Sequence, residues 1–124
     1  GALADIEGVS LLAASDAMFS SSRYCGMVIL DGALAPQRFD IVAALNARGV
    51  GTSVYYPHPV PHLQYYRAKY GFDTASFPHA ARISENGIAL PVGPHLTVED
   101  MRYIAEAIAA SIATVRTPAR AFIA

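Results

Sequence analysis

The side chains best suited to chemistry lie close together in residues 49–70, GVGTSVYYPHPVPHLQYYRAKY. This stretch holds two of the four histidines, five of the seven tyrosines and the only lysine of the chain, Lys69. Tyrosine hydroxyls and imidazoles can hydrogen-bond a sugar hydroxyl or a phosphate oxygen. A lysine forms a Schiff base only where a dry pocket keeps its amine neutral. Because Lys69 lies beside Arg67 at a polar helix end, we expect it to be a solvated surface group.

Other chemistries are poorly supported by the residues present. His58 and His62 are four residues apart, a spacing that would place two metal ligands on one helix face. Prolines at 57, 59 and 61 exclude that helix, and no cysteine or carboxylate lies close in sequence, so we expect no metal site. The chain has no Gly-x-Ser-x-Gly motif for acyl transfer. The glycines of residues 49–51 follow a helix, unlike those of a dinucleotide-binding loop.

The composition indicates a surface that something else covers. The chain is 53% hydrophobic and only 15% charged, against about 25% charged in typical soluble proteins. Either much of the surface is neutral, or another domain or subunit covers part of it, and we favour the second. The net charge is −1 and no basic run is present, so nucleic acid is not an expected partner.

The redox compartment and the membrane can be judged from the same composition. The single cysteine, Cys25, excludes an internal disulfide and fits a reducing compartment, so we expect a cytoplasmic protein. Cys25 lies in the apolar run 24–30, which predicts a buried structural thiol. No apolar run approaches 18 residues and no signal peptide is visible, so we expect no membrane association.

Hydrophobic periodicity and Pro/Gly positions predict the elements that position these groups. We expect strands at 23–30, 50–56 and 88–90, and helices at 36–48, 63–70, 78–86 and from Thr97 onward. Alternation along the strand at 50–56 would send Tyr55 and Tyr56 to opposite faces. Pro118 bars further extension of the last helix. This order predicts an α/β fold: a small two-layer sandwich with a largely antiparallel sheet and helices packed on it.

Two helices should present apolar stripes to the sheet. The first stripe consists of Phe39, Val42 and Leu45. The second consists of Met101, Ile104, Ile108, Ile112 and Val115. Thr97 and Asp100 have the spacing of a capping box at the start of the second helix.

Four short runs, in order, resemble a known enzyme family. They are SRY at 22–24, LNARGVGT at 45–52, VYYP at 54–57 with His62 downstream, and ALP at 89–91 followed by LTVED at 96–100. Over about residues 20–113 the chain resembles the C-terminal small domain of the PLP-dependent nucleotide-sugar aminotransferases of the DegT/StrS family. The resemblance implies the small domain of an aspartate-aminotransferase-like (fold type I) PLP transferase, with residues 1–20 leading into a domain at 21–117 and a tail at 118–124.

The resemblance also implies a function and partners. Enzymes of this family transfer an amino group, usually from glutamate, to a nucleotide-linked keto-sugar, and they act as homodimers. Their PLP is held by a lysine of a large N-terminal domain that these residues do not resemble, so we expect this chain alone to bind no PLP and to be inactive. Tyr56 and His62 match the family pattern, whereas Tyr55 replaces a family histidine. The substrate-binding candidates are therefore Tyr55, Tyr56 and His62, with no catalytic, cofactor-binding or metal-binding residue expected.

Two other classes stay open at this point. The chain could be a free-standing α/β binding or oligomerisation module without catalysis, or a divergent small-molecule enzyme with its own pocket. A free-standing module should expose few apolar side chains, whereas a domain separated from a larger enzyme should show one large apolar face.

Overall fold

A computed structural model describes residues 3, 5–12, 17–22 and 24–116 of the chain. Its three strands are β1 (Val9–Leu11), β2 (Gly26–Leu30) and β3 (Gly87–Leu90). Its four α-helices are α1 (Arg38–Ala47), α2 (Gln64–Tyr70), α3 (Pro78–Asn86) and α4 (Val98–Arg116). Short 3-10 helices, Gly32–Gln37 and Val60–His62, precede α1 and α2. The expected α/β fold with helices on an antiparallel sheet is confirmed.

The sheet has the order β1-β2-β3, with each strand antiparallel to the next. Val28 lies opposite Ile88, so these side chains share one face, while Ile29 and Gly87 lie opposite each other on the other face. The first face packs on α1 and α4. The second lies under α3, whose Arg82 side chain reaches Ser10 of β1. The sheet therefore has a helix-covered core on one side and α3 on the other.

The core between the sheet, α1 and α4 is apolar and closely packed. Its fully buried members include Leu30 of β2, Leu45 of α1 and Ile108 of α4. Complete burial of a leucine or isoleucine side chain contributes about 1.5–3 kcal/mol relative to leaving it exposed. This core accounts for the stability of the two helices that the sequence marked most clearly.

The start of α4 follows its predicted capping box. The Asp100 amide donates to the Thr97 hydroxyl at 3.1 Å, and the Thr97 amide donates to the Asp100 carboxylate at 2.8 Å. The hydroxyl and amide of Thr97 hold the pKa of the Asp100 carboxyl below its usual value, the backbone hydrogen bond contributing most. Gly49, with φ +77°, ends α1 as expected.

Several local expectations were wrong. β1 forms within the residues expected only to lead into the domain, and β2 begins at Gly26 rather than near residue 23. Phe39 is 64% exposed, because the buried stripe of α1 runs through Ile41 and Leu45 instead. Met101 is also largely exposed. Residue 23, Pro118 and the tail at 118–124 lie outside the described residues, so the expectations placed on them stay untested.

The expected strand at 50–56 is reduced to a single bridge between Ser53 and Ala89. The Ser53 amide donates to the Ala89 carbonyl at 3.1 Å, and the Ala89 amide donates back at 2.8 Å. After this bridge the chain leaves the edge of β3. Within the part of the chain that the structure describes, no helix is both long and apolar enough to cross a membrane.

Candidate substrate-facing site

Tyr55 and Tyr56 lie where the chain leaves the sheet edge. Because no strand extends past Ser53, the expected alternation is lost, and both tyrosines line one small crevice of about 40 Å³ together with Met27 and Ile83. Tyr56 is 69% exposed and Tyr55 is also exposed. The structure thus brings these two candidates together, with much of each ring open to a ligand or to another domain.

Tyr55 also borders an open cleft of about 440 Å³ beside the end of β3. The lining of this cleft comprises Tyr24, Gly51, Thr52, Ser53, Tyr55, Ala89, Leu90, Pro91 and Val92. The electrostatic influence of the neighbouring Cys25 is the largest cause that raises the pKa of the Tyr55 phenol. The Tyr55 hydroxyl can donate a hydrogen bond to a ligand or accept one from it.

Cys25 itself does not have the buried position that the apolar run predicted. The thiol is exposed, because β2 begins one residue later and leaves Cys25 outside the strand. The apolar run does form a strand, but the predicted strand began too early in the chain.

His62 has different neighbours from the two tyrosines. Its side chain is only 10% exposed, and its Nε2 lies 3.2 Å from the carbonyl oxygen of Ser76. A carbonyl oxygen only accepts, so Nε2 carries the proton and donates. The imidazole is thus hydrogen-bonded to the backbone before α3, and its role at a substrate stays a prediction.

Residues 57–62, which include three prolines, form a loop that we call the Pro-rich loop, and Glu85 of α3 faces both of its histidines. One carboxylate oxygen, Oε1, lies 3.7 Å from Nδ1 of His58 and 3.9 Å from Nδ1 of His62. The neighbouring Ser84 carbonyl accepts a 2.7 Å hydrogen bond from the buried guanidinium of Arg38. Burial lowers the pKa of Arg38, and the Glu85 charge opposes that shift. The end of α3 therefore lies against the Pro-rich loop on one side and is hydrogen-bonded to α1 on the other.

Sequence reasoning did not find Glu85 or Arg38, and no local signal could have done so. Both act through partners more than 20 residues away in sequence, as in the contact between Arg38 and Ser84. A buried arginine in an amphipathic helix looks like any surface arginine until the helix that covers it is known.

Lys69 lies exposed on α2, as expected. Its Nζ lies 3.2 Å from the Tyr65 hydroxyl and 5.3 Å from the centre of the Tyr70 ring. An amine on an exposed helix face beside aromatic rings lacks the dry pocket that Schiff-base formation needs. Among the described residues, no group of three or more His, Cys, Asp or Glu side chains could hold a metal ion.

Comparison with known proteins gives a consistent result. Residues 1–109 match the model of the DegT/DnrJ/EryC1/StrS aminotransferase family. A curated protein, the pleiotropic regulatory protein of Geobacillus stearothermophilus, is 37% identical over 75 residues, which are 60% of this chain and 20% of that protein.

Solved structures superpose on most of the chain. The PLP-form of a putative sugar aminotransferase, Spr1654 from Streptococcus pneumoniae, matches with a TM-score of 0.78 and 30% identity over 94% of this chain and 29% of its own. DesV from S. venezuelae, in complex with a ketimine intermediate, matches with a TM-score of 0.73 and 25% identity over 88% of this chain and 28% of its own. The chain thus spans less than a third of the length of these relatives.

Proposed function

The chain belongs to the DegT/DnrJ/EryC1/StrS aminotransferase family, and on that premise we propose that it is the C-terminal small domain of a PLP-dependent sugar aminotransferase. The complete enzyme would transfer an amino group from glutamate to a nucleotide-linked keto-sugar. The observation that carries this proposal is the match of 94% of the chain to 29% of a putative sugar aminotransferase.

The chain's own residues do not fit PLP as a covalent cofactor. Lys69 is the only lysine, and it lies on an exposed helix beside Tyr65 and Tyr70. PLP catalysis needs a lysine in a dry site and a group that tunes the pyridine nitrogen. We therefore assign PLP to the large N-terminal domain of the longer enzyme and no step of the reaction to this chain alone.

The exposed aromatic surface supports a domain of a larger enzyme over the free-standing module. Tyr55, Tyr56, Tyr65, Tyr70 and Phe77 all expose large ring areas. A module that worked alone would be expected to bury more of this surface. We propose a homodimer as the assembled enzyme, and the cytoplasm as its compartment because the single cysteine forms no internal disulfide.

Tyr55, Tyr56 and His62 are the residues of this chain that we propose to bind substrate. The tyrosine hydroxyls can donate to or accept from sugar hydroxyls or phosphate oxygens, and their rings are open at the crevice. The imidazole of His62 donates to the Ser76 carbonyl and so holds the Pro-rich loop in place, while its Nδ1 faces Glu85. The stiff prolines limit the entropy lost when this loop meets a ligand.

The test uses the longest open reading frame that contains these 124 residues. Purified protein should show glutamate-dependent amination of a nucleotide-linked keto-sugar, detected by chromatography. In this protein Tyr56→Phe should lower kcat/KM by about 5- to 150-fold, the loss of one or two hydrogen bonds of about 1–3 kcal/mol. Tyr56 is exposed, so the melting temperature should not change.

Two controls separate binding from folding. His79→Ala removes an exposed histidine of α3 that has no proposed role, and it should leave kcat/KM unchanged. The 124-residue chain mixed with PLP should show no absorbance band that disappears in Lys69→Ala. Normal activity of Tyr56→Phe would show that Tyr56 does not bind substrate. A Lys69-dependent band would contradict the assignment of PLP to the large N-terminal domain.

A further inference from the structure

Five aromatic rings form a continuous row on one side of the molecule. They belong to Tyr65, Tyr66, Tyr70, Phe72 and Phe77, with centres 5.2–6.2 Å apart from one ring to the next. We name residues 63–77, which carry these rings, the aromatic arm. None of its residues is buried. The rings contact each other, but a large part of their surface faces outward.

Helix α2, within the aromatic arm, has little within this chain to stabilise it. It is seven residues long, contains no buried residue and has no side-chain hydrogen bond at its N-terminus. Helices of this length are marginal in water, and most helical stability in proteins comes from packing of an apolar face. The apolar face of α2 is thus suited to a surface that the described residues of this chain do not supply.

The end of the aromatic arm has a strained backbone. Phe77 has φ of +64°, a left-handed conformation that is uncommon for a bulky residue. This conformation sets its ring perpendicular to Phe72 at 5.3 Å, yet Phe77 remains 45% exposed. Strained residues persist where the surrounding structure fixes them. The packing of Phe77 within this chain is only partial, which again points to a missing neighbour.

We propose that the aromatic arm is the surface on which the rest of the longer polypeptide, the large domain, packs against this domain. This inference rests on the proposed function, since it needs that large domain to exist. The solved relatives carry more than two thirds of their length outside the region that matches this chain. That portion is the occupant large enough to bury a row of five rings.

The charges of α2 favour the large domain over a second copy of the same surface. α2 carries Arg67 and Lys69 and no acidic residue. A two-fold symmetric interface places the same patch on both subunits. Two copies of α2 would therefore bring like charges together, whereas another domain can offer carboxylates to them. Tyrosine and arginine are also the residue types enriched at protein interfaces.

Photo-crosslinking in the full-length protein tests which surface covers the aromatic arm. Tyr70→p-benzoylphenylalanine places the probe in the middle of the ring row, and Phe39→p-benzoylphenylalanine places it on an exposed site of α1 as the control. The Tyr70 probe should link to a peptide from outside the 124 residues, at the mass of a single polypeptide. A product at twice that mass, or no product, would overturn the proposal.

Hydrogen exchange gives an independent measurement. The amides of α2 should exchange at least about 10-fold more slowly in the full-length protein than in the 124-residue chain, because only the former covers them. Amides of α4, packed in both, should change little. Equal exchange of α2 in the two proteins would overturn the proposal.

The outcomes separate this inference from the proposed function. A full-length protein with sugar aminotransferase activity but no protection of α2 would contradict the docking surface alone. A protein with the expected crosslink and no aminotransferase activity would contradict the proposed function and leave the docking surface in place.

Discussion

Two regions of the molecule are stabilised in different ways. One is the core between the sheet, α1 and α4, and the other is the aromatic arm. In the core, apolar side chains such as Leu30, Leu45 and Ile108 are buried by residues of the same chain. In the aromatic arm, comparably large side chains contact mostly one another and remain open. The difference shows that residues of this chain bury the core by themselves, while another part of its apolar surface stays exposed.

The two regions are joined by polar contacts of α3. Arg82 of α3 bonds the Asp31 carboxylate through Nε at 2.9 Å and through Nη2 at 2.8 Å. The Ser10 hydroxyl also donates to that carboxylate. On the other side of α3, Glu85 faces the histidines of the Pro-rich loop that precedes the aromatic arm. α3 therefore connects the open region to the edge of the packed sheet.

The largest expected effect comes from a direct contrast of the two regions in the 124-residue chain. Leu45→Ala removes a side chain with no exposed surface and should lower the free energy of unfolding by about 2–5 kcal/mol. Tyr70→Ala in the aromatic arm should lower it by less than about 1 kcal/mol, because Tyr70 is exposed. Urea denaturation measures both. Equal losses would show that the aromatic arm is as firmly packed as the core.

A glycine pair gives the next largest effect. A Cβ at Gly87 would lie 2.5 Å from the Ile83 carbonyl oxygen, so Gly87→Ala should force α3 away from β3 and destabilise the chain by about 1–3 kcal/mol. At Gly51 a Cβ meets nothing within 4 Å, so Gly51→Ala is the matched control and should be neutral or slightly stabilising. Thermal denaturation compares the two. A neutral Gly87→Ala would mean that α3 is loosely held, as α2 is.

These contrasts also explain how much of the fold the sequence could predict. α4 and α3 were predicted closely, since Thr97 with Asp100 caps α4 and Pro78 opens α3. The strand at 50–56 was wrong because β-branched and aromatic residues favour a strand only where they pair with a neighbouring strand, and here the pairing is limited to Ser53 and Ala89. β1 was missed because three residues give too short a pattern to recognise.

The candidate site was predictable only in part, for a related reason. Tyr55 and Tyr56 stood out by type and position, and the structure brings them to one crevice. Glu85 could not be linked to His58 and His62, because only the tertiary fold brings α3 to the loop. Phe39 was placed inward because an apolar residue at helical spacing satisfied the pattern, although Ile41 and Leu45 fill the core.

A smaller effect tests the connection that α3 makes with the sheet edge. The hydrogen bond from Ser10 contributes most to lowering the pKa of the Asp31 carboxyl, and Arg82 adds to it against the opposing effect of burial. A lowered folded-state pKa means that the stabilisation is present above the ordinary pKa of about 3.9 and is lost as pH falls through the lowered value. Asp31 is partly exposed, so the contribution at neutral pH should be roughly 1 kcal/mol or less.

The measurement is the urea midpoint of Asp31→Asn and of the unmodified chain from pH 7 down to about pH 2. The two proteins should differ most at neutral pH and converge as the carboxyl becomes protonated. Arg82→Leu should retain part of the pH dependence, because Ser10 still bonds the carboxylate. A constant difference across the whole range would show that Asp31 stabilises the chain by packing rather than by its charge.

The smallest expected effect lies in the aromatic arm, at Phe77, and it is informative because it should be near zero. In the 124-residue chain, Phe77→Gly relieves a left-handed strain of about 1–2 kcal/mol. It also removes a ring contact with Phe72 of about 0.5–1.5 kcal/mol and adds unfolded-state freedom of about 0.5–1 kcal/mol. These terms offset one another, so the melting temperature should stay almost unchanged. Asparagine also tolerates this conformation, so Phe77→Asn separates the effect of the backbone strain from the effect of losing the ring contact.

In the full-length protein the same Phe77→Gly change should lower the free energy of unfolding by an additional 1 kcal/mol or more, on the order of the burial of half an aromatic side chain. A large loss already present in the 124-residue chain would mean that Phe77 is packed without any outside surface, and the contrast between the two regions would then fail.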